Sequence, residues 1–310
     1  MLAWELMGAA VGAGLASGRE IASFFGRYGA WGFAGIAAAA VTIALLADAR
    51  MPQAWRDRWP EKLWRTLNAL LLTATAGAML AGAGEIAAMA LPGARYAGMA
   101  VTLLLSWFLA RRTKAGLAWV SRMLLAGMAV LLIAGALLPP MRAAGGTRAA
   151  IPEALLHGVT YGGFNAALMQ PLLAACGQPD KRRRRSLHGA CMMLACLLAA
   201  GMAVLMRHPA ASGAAMPFME VAWRLGWPGA LLAGVCLYLA VTSTMAACLK
   251  NLRGWWPAGI IVTALLGFSG VVDAAYPLLG AGCAAMLTAM RISNFVNSCR
   301  NTFHSGRGVL

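Results

Sequence analysis

Apolar residues fill the chain in long runs, separated by short stretches that carry charge, proline or glycine. A bilayer-spanning helix needs about 20 mainly apolar residues. The runs give ten segments, at about 2–27, 30–49, 63–90, 96–110, 115–138, 152–175, 186–206, 228–249, 255–269 and 270–290. The fourth and ninth are short. Between the seventh and eighth, residues 217–226 are too short and polar to span, and predict a surface helix or part of a lid. Ten spans use nearly all of the 310 residues, so the pattern predicts an all-α integral membrane protein of one transmembrane domain, 1–310, without a soluble domain.

Composition agrees. The chain is 61% hydrophobic and 12% charged, against about 25% charged in soluble domains. The net charge of +16 would suit a nucleic-acid partner if the cations formed one folded face, but they lie in clusters between apolar runs. Sorted by alternate connections, eighteen Lys and Arg fall on one side, at 50–65, 111–114, 181–185, 250–253 and 291–307, and seven on the other, with Arg122 inside a span. Cytoplasmic loops carry excess Lys and Arg, which predicts a multi-pass protein of the plasma (bacterial inner) membrane with both termini cytoplasmic. The basic run 181–185 then needs no nucleic acid, although an anionic lipid would suit it. Glu5 and the lack of a basic leader argue against a cleaved signal. Seven cysteines, odd in number and mostly in apolar runs, imply neither a disulfide framework nor a metal site. No nucleophile–base set or paired acids suggest an enzyme.

The first segment holds glycines at 8, 12, 14 and 18. Glycine alone is equally explained by close helix packing. Ser17-Gly18-Arg19-Glu20, however, reads as a capping box, which starts a helix. A start in mid-segment means that an earlier helix has stopped, with an unwound stretch near 12–16. Thr160-Tyr161-Gly162-Gly163-Phe164-Asn165 predicts a second interruption in the sixth segment, where the glycines break the helix and Asn165 caps its restart. The two breaks occupy matching places in two five-helix halves, 1–138 and 149–290, followed by a tail over 291–310. Five is odd, so the halves have opposite orientations. Paired broken helices in an inverted repeat point to a secondary transporter's binding site.

Residues 8–25, from Gly8-Ala9-Ala10-Val11-Gly12-Ala13-Gly14-Leu15-Ala16 through Ser17-Gly18-Arg19-Glu20 to Phe24-Phe25, followed by the turn 28–32, resemble the first helix of the YkvI-type membrane proteins. These are a branch of the amino acid–polyamine–organocation superfamily, similar in fold to LeuT-type transporters. The resemblance implies a cation held by the Gly8 and Val11 carbonyls and by hydroxyls of Thr242, Ser243 and Thr244. Oxygen ligands suit a hard cation, here sodium as a coupling ion rather than a resident cofactor. Hydroxyls that bond back to their own helix are the plainer alternative.

The walls of a substrate site would be Ala10, Gly12, Ala13, Gly14, Leu15 and Ser17 on one side and Tyr161, Gly162, Gly163, Phe164 and Asn165 on the other. The helix start near Ser17 suits a carboxylate, and the carbonyl ends suit an ammonium. Arg19, Glu20, Glu85 and Asp273 are the gate and coupling candidates, with Arg19–Asp273 resembling an external gate. Asn68, Thr73 and Thr75 are weaker lining candidates. Arg122 costs about 2.5–3.5 kcal/mol at a helix centre, so it either snorkels to the rim or fills the cation position. The reading is a transporter of a small zwitterionic or cationic, amino-acid-like metabolite, driven by sodium or protons. The alternative is a non-transporting sensor or assembly subunit with the same fold.

Overall fold

A computed structural model describes residues 2–111, 114–140, 150–177, 180–252, 254 and 256–305. The expected junction between the halves at 141–149, with Arg142 and Arg148, lies outside the described residues, as do Arg112, Arg253 and Arg307. The described chain is helical, with fourteen α-helices among the described residues. The first segment comprises α1 (Leu2–Ala10), α2 (Ala13–Ala16) and α3 (Arg19–Phe24). Then come α4 (Gly32–Leu46), α5 (Trp59–Ala90), α6 (Arg95–Ala110) and α7 (Lys114–Leu137). The second part of the chain supplies α8 (Ile151–Ala175), α9 (Lys181–Arg207), α10 (Pro217–Trp223) and α11 (Gly226–Asn251). Last are α12 (Trp256–Leu265), α13 (Phe268–Gly270) and α14 (Tyr276–Ser305), the last two joined by a π-turn over Val271–Ala275.

Local chemistry sets several of these boundaries. Pro60 sits in the first turn of α5, where its missing N–H costs nothing. Asp180 caps α9 by accepting from the Arg183 amide at 2.6 Å. Gly267, at φ +77°, turns the chain from α12 into α13.

Six helical stretches among the described residues are long and apolar enough to cross a membrane: Gly26–Leu46, Trp59–Ala90, Trp119–Leu137, Lys181–Arg207, Gly226–Asn251 and Phe268–Cys299. The chain is therefore a multi-pass helical membrane protein. The other four of the ten expected segments also carry helix. Two are short, at 16 and 10 residues for α6 and α12; the first is interrupted; and α8 is too polar.

The polarity of α8 follows from its place. It packs chiefly between α4 and α14, while α1 touches α7, α8, α9 and α11. Thr160, Tyr161 and Asn165 are all buried there, facing protein rather than lipid.

The expected interruption at 160–165 is not present, because α8 runs unbroken from Ile151 to Ala175. Its glycines serve contact instead. A Cβ on Gly162 would stand 2.8 Å from the Ala39 carbonyl of α4, and one on Gly163 would stand 2.6 Å from the Gly280 carbonyl of α14. Asn165 does not cap a restart; its amide donates to the Tyr161 carbonyl one turn back, at 3.1 Å. Small residues that let backbones approach are a usual device of membrane helices, and here that device explains the glycine pair.

Candidate functional site

The first segment does break. The Gly12 amide bonds to the Ala10 carbonyl at 3.1 Å, and the Ala13 amide donates to Met79 Sδ at 3.3 Å. In a continuous helix these amides would bond to the Gly8 and Ala9 carbonyls, which are thereby released from the ladder. Val11 and Gly12 form the gap between α1 and α2. The chain turns again at Gly18, whose φ of +82° is open to glycine at little cost.

The capping box does not form. Ser17 Oγ donates to the Gly14 carbonyl at 3.0 Å and receives the Arg19 amide at 3.3 Å. Gly18 takes the N-cap place, so Glu20 stands in the first turn of α3 with its side chain aimed inward. Glu20 is 2% exposed and accepts from the Tyr161 hydroxyl at 3.0 Å. Its carboxyl lies where a Cβ on Gly14 would fall. Rings surround this pair: Phe24 and Phe25 stand edge-on to Tyr161 at 5.1 and 5.3 Å, and Phe164 lies 4.4 Å from Tyr276. A buried carboxylate without a basic partner is costly in low dielectric, and no ion pair of Glu20 occurs among the described residues.

The three hydroxyls of α11 divide. Thr242 bonds back to the Tyr238 carbonyl at 2.9 Å and Ser243 to the Ala240 carbonyl at 3.2 Å, so both follow the plainer alternative. Thr244 differs. Its Oγ1 is buried without a hydrogen-bond partner and stands 3.6 Å from the position of a Cβ on Gly12, beside the gap.

A cavity of about 270 Å³, lined by Glu5, Gly8, Leu168, Thr244, Lys250 and Asn251 among others, opens to the end of the bundle that holds the start of α1. At its inner end stand Gly8 and Thr244, the residues that flank the break.

The opposite end is closed. Arg19 is ion-paired to Asp273, with side chains 17% and 37% exposed, and donates to the Ala214 carbonyl at 3.1 Å. The Phe218 amide of α10 donates to the Ser17 carbonyl at 2.7 Å, and the Phe218 ring covers Gly18. Segment 217–226 therefore includes a short helix that lies over the Ser17–Gly18 turn. Its far side is tied down through Arg224, which donates to His208 Nδ1 at 2.8 Å while His208 Nε2 meets the Gly135 carbonyl at 2.9 Å. A carbonyl only accepts and a guanidinium only donates, so Nε2 carries the ring proton in this pair of contacts.

Other expected residues lie elsewhere. Glu85 pairs with Arg95 at 3.0 Å, which assigns it to the α5–α6 corner. Asn68 lines a different cleft. Thr75 bonds back to the Leu71 carbonyl at 2.8 Å, and Thr73 Oγ1 is buried without a hydrogen bond. Arg122 is exposed, with its guanidinium 5.8 Å from the Trp4 ring centre; it does not fill the cation position. Its neighbour Ser121 faces Gly8 instead.

Sequence reasoning missed Ser121 and Met79. Each looks like an ordinary member of an apolar run, and only the fold turns it toward the break.

No protein-family model matches the sequence. The chain is 26% identical over 328 aligned positions, spanning 93% of its length and 94% of the relative's, to the uncharacterized membrane protein YkvI of Bacillus subtilis (strain 168). Two mutant forms of the Eremococcus coleocola manganese transporter superpose with TM-scores of 0.53 and 0.51 at 14% identity, covering 93% of this chain and 76% of the other. The resemblance first seen at residues 8–32 therefore extends over almost the whole chain, in sequence to YkvI and in fold to a membrane transporter.

Proposed function

We propose that the protein is a secondary transporter of a small zwitterionic or cationic, amino-acid-like metabolite, working by alternating access around the break in its first segment. One observation carries this reading. A cavity from one end of the bundle extends to Gly8 and Thr244, next to the break at Val11–Gly12, while Arg19–Asp273 and the α10 contact shut the other end. That is the arrangement expected of one of the two states of a transporter. The sorting of positive charge makes the open end cytoplasmic, so the state is inward-open.

The fold is proposed as ten spans in two inverted halves, 1–138 and 149–290, of LeuT type. The similarity to a transporter fold supports it, as does helix at every expected segment. Ala10, Gly12, Ala13, Gly14, Leu15 and Ser17, with Tyr161, Phe164 and Asn165 of α8, form the proposed substrate walls, whereas Gly162 and Gly163 face α4 and α14 and leave the set. Glu20 gives this site a buried carboxyl group held by the Tyr161 hydroxyl, and the surrounding rings suit an organic ammonium. The neighbour's manganese is not carried over: Glu20, Glu85 and Asp273 each have a different partner, Tyr161, Arg95 and Arg19. Thr244, with the released Gly8 carbonyl and that of Val11, is the proposed sodium position. Thr242 and Ser243 stay with it only as neighbours on α11.

Uptake into proteoliposomes, screened over amino acids and amines with sodium or potassium outside, tests the reading. Saturable accumulation that Thr244→Ala reduces in its sodium dependence supports it. Inert vesicles across the panel, with correctly inserted protein, reject it.

The unbroken α8 favours a second reading, a non-transporting binding protein, since one interruption rather than two leaves fewer backbone groups to rearrange. Ligand binding to purified protein without vesicle accumulation would select it.

A further inference from the structure

We propose that the cytoplasmic base of the bundle, between the end of α4 and the starts of α5 and α9, is a binding site for a phosphate-bearing anion, and that its occupant is the headgroup of an anionic lipid. The site is distinct from the transport cavity.

An open cleft of about 570 Å³ is lined there by Arg50, Arg65 and Arg183. A neighbouring cleft of about 560 Å³ shares Arg50 and adds Arg184 and Arg291, with the exposed Ile292 and Phe295 forming an apolar wall. Five guanidiniums thus border the pair of clefts, and the carboxylates that border them are Glu61 and Asp48.

Two of the cations converge on one atom. The Gly177 carbonyl accepts from Arg50 at 2.8 Å and also from Arg183. Guanidiniums brought together on a single neutral acceptor repel each other unless an anion is close. Asp48 pairs with Arg183, and Glu61 is taken by Arg65 at 2.5 Å. Arg183 is 5% exposed, yet its Nε has no hydrogen-bond partner. Asp48 and the Gly177 carbonyl meet the rest of that guanidinium, so Arg183 braces the site from beneath, and the exposed Arg50, Arg184 and Arg291 are the cations open to a ligand.

The geometry of arginine forks matches phosphate oxygens. Soluble phosphate would need only the cations. The apolar wall of the second cleft favours a lipid, whose chains would lie along it while the headgroup meets the arginines, and basic pockets between spans on the cytoplasmic side suit such headgroups.

Native mass spectrometry and thermal shift of delipidated protein test this, with cardiolipin, phosphatidylglycerol, phosphatidylcholine, glycerol phosphate and inorganic phosphate as probes. Cardiolipin is expected to bind and stabilise most, and phosphatidylcholine least. Arg50→Gln and Arg291→Gln should each weaken cardiolipin binding about fivefold. Arg111→Gln, a cation at the same face that stacks on Trp107 away from the clefts, should leave binding unchanged.

Arg183→Gln breaks a buried pair and can simply unfold the protein, so the Arg50 and Arg291 variants decide. Binding of the soluble phosphates equal to that of cardiolipin would overturn the lipid assignment. Equal binding by Arg50→Gln, Arg291→Gln and the unsubstituted chain, or binding of no anionic probe, would overturn the site.

Discussion

Tyr161 gives the Glu20 carboxyl the hydrogen bond it has in the middle of the bundle, so removing that hydroxyl is not a neutral change. Tyr161→Phe leaves a buried acceptor unmatched and should destabilise by about 1–3 kcal/mol, read as a lowered Tm in detergent. Ser23 offers the contrast. Its hydroxyl is buried without a hydrogen bond, and Ser23→Ala should leave Tm unchanged or raised, because no bond is lost and a desolvated group is removed. Equal losses from both variants would mean that the Glu20–Tyr161 contact has no special weight. Glu20 was visible in the sequence as a capping and coupling candidate, but its partner was not. Spacing along one helix says nothing about which residue of α8 lies opposite, and the left-handed turn at Gly18 moves the carboxyl from the helix end to the interior.

Among the elements, the first segment and α8 look alike in sequence and fold differently. Both carry clustered glycines. In the first segment Gly12 and Gly18 lie at turns of the chain, and the Ala13 amide leaves the ladder for Met79. In α8 the glycines sit on two flanks that face α4 and α14, so the helix continues and the neighbours come close. A break and a tight contact demand the same residue type, and only the neighbours decide between them. Glycine substitutions separate the cases. Gly163→Ala puts a methyl 2.5 Å from Ala284 Cβ and 2.6 Å from the Gly280 carbonyl, and should cost about 1–3 kcal/mol by overpacking. Gly189→Ala, within α9 and with nothing within 4 Å of the added methyl, should instead raise stability by about 0.5–1 kcal/mol. Thermal unfolding of the two variants side by side measures both signs.

At the scale of the whole molecule, the closed end is held by contacts between distant parts of the chain. Arg19 reaches Asp273, 254 positions away, and the Ala214 carbonyl, while Phe218 reaches Ser17. The sequence named the Arg19–Asp273 pair through a family resemblance, and the structure joins the two. The strap from α10 was foreseen only as a surface helix or lid, because its role depends on where α9 ends. A half-exposed ion pair is worth about 0.2–1 kcal/mol, enough to shift a balance between two states up to about fivefold without threatening the fold. Asp273→Asn should therefore leave Tm almost unchanged and favour opening of this end. Ser17 is 1% exposed beneath the contact, so a cysteine placed there, in a background without the exposed Cys176, Cys196 and Cys299, reports opening. A membrane-impermeant maleimide should label Ser17→Cys slowly in the parent and faster with Asp273→Asn. The charge exchange Arg19→Asp with Asp273→Arg should restore slow labelling, since it rebuilds attraction with the signs reversed. If all three label at one rate, the ion pair is only a surface contact and α10 alone closes this end; if the exchange labels fast while Asp273→Asn labels slowly, the Arg19 bond to Ala214 is the part that holds.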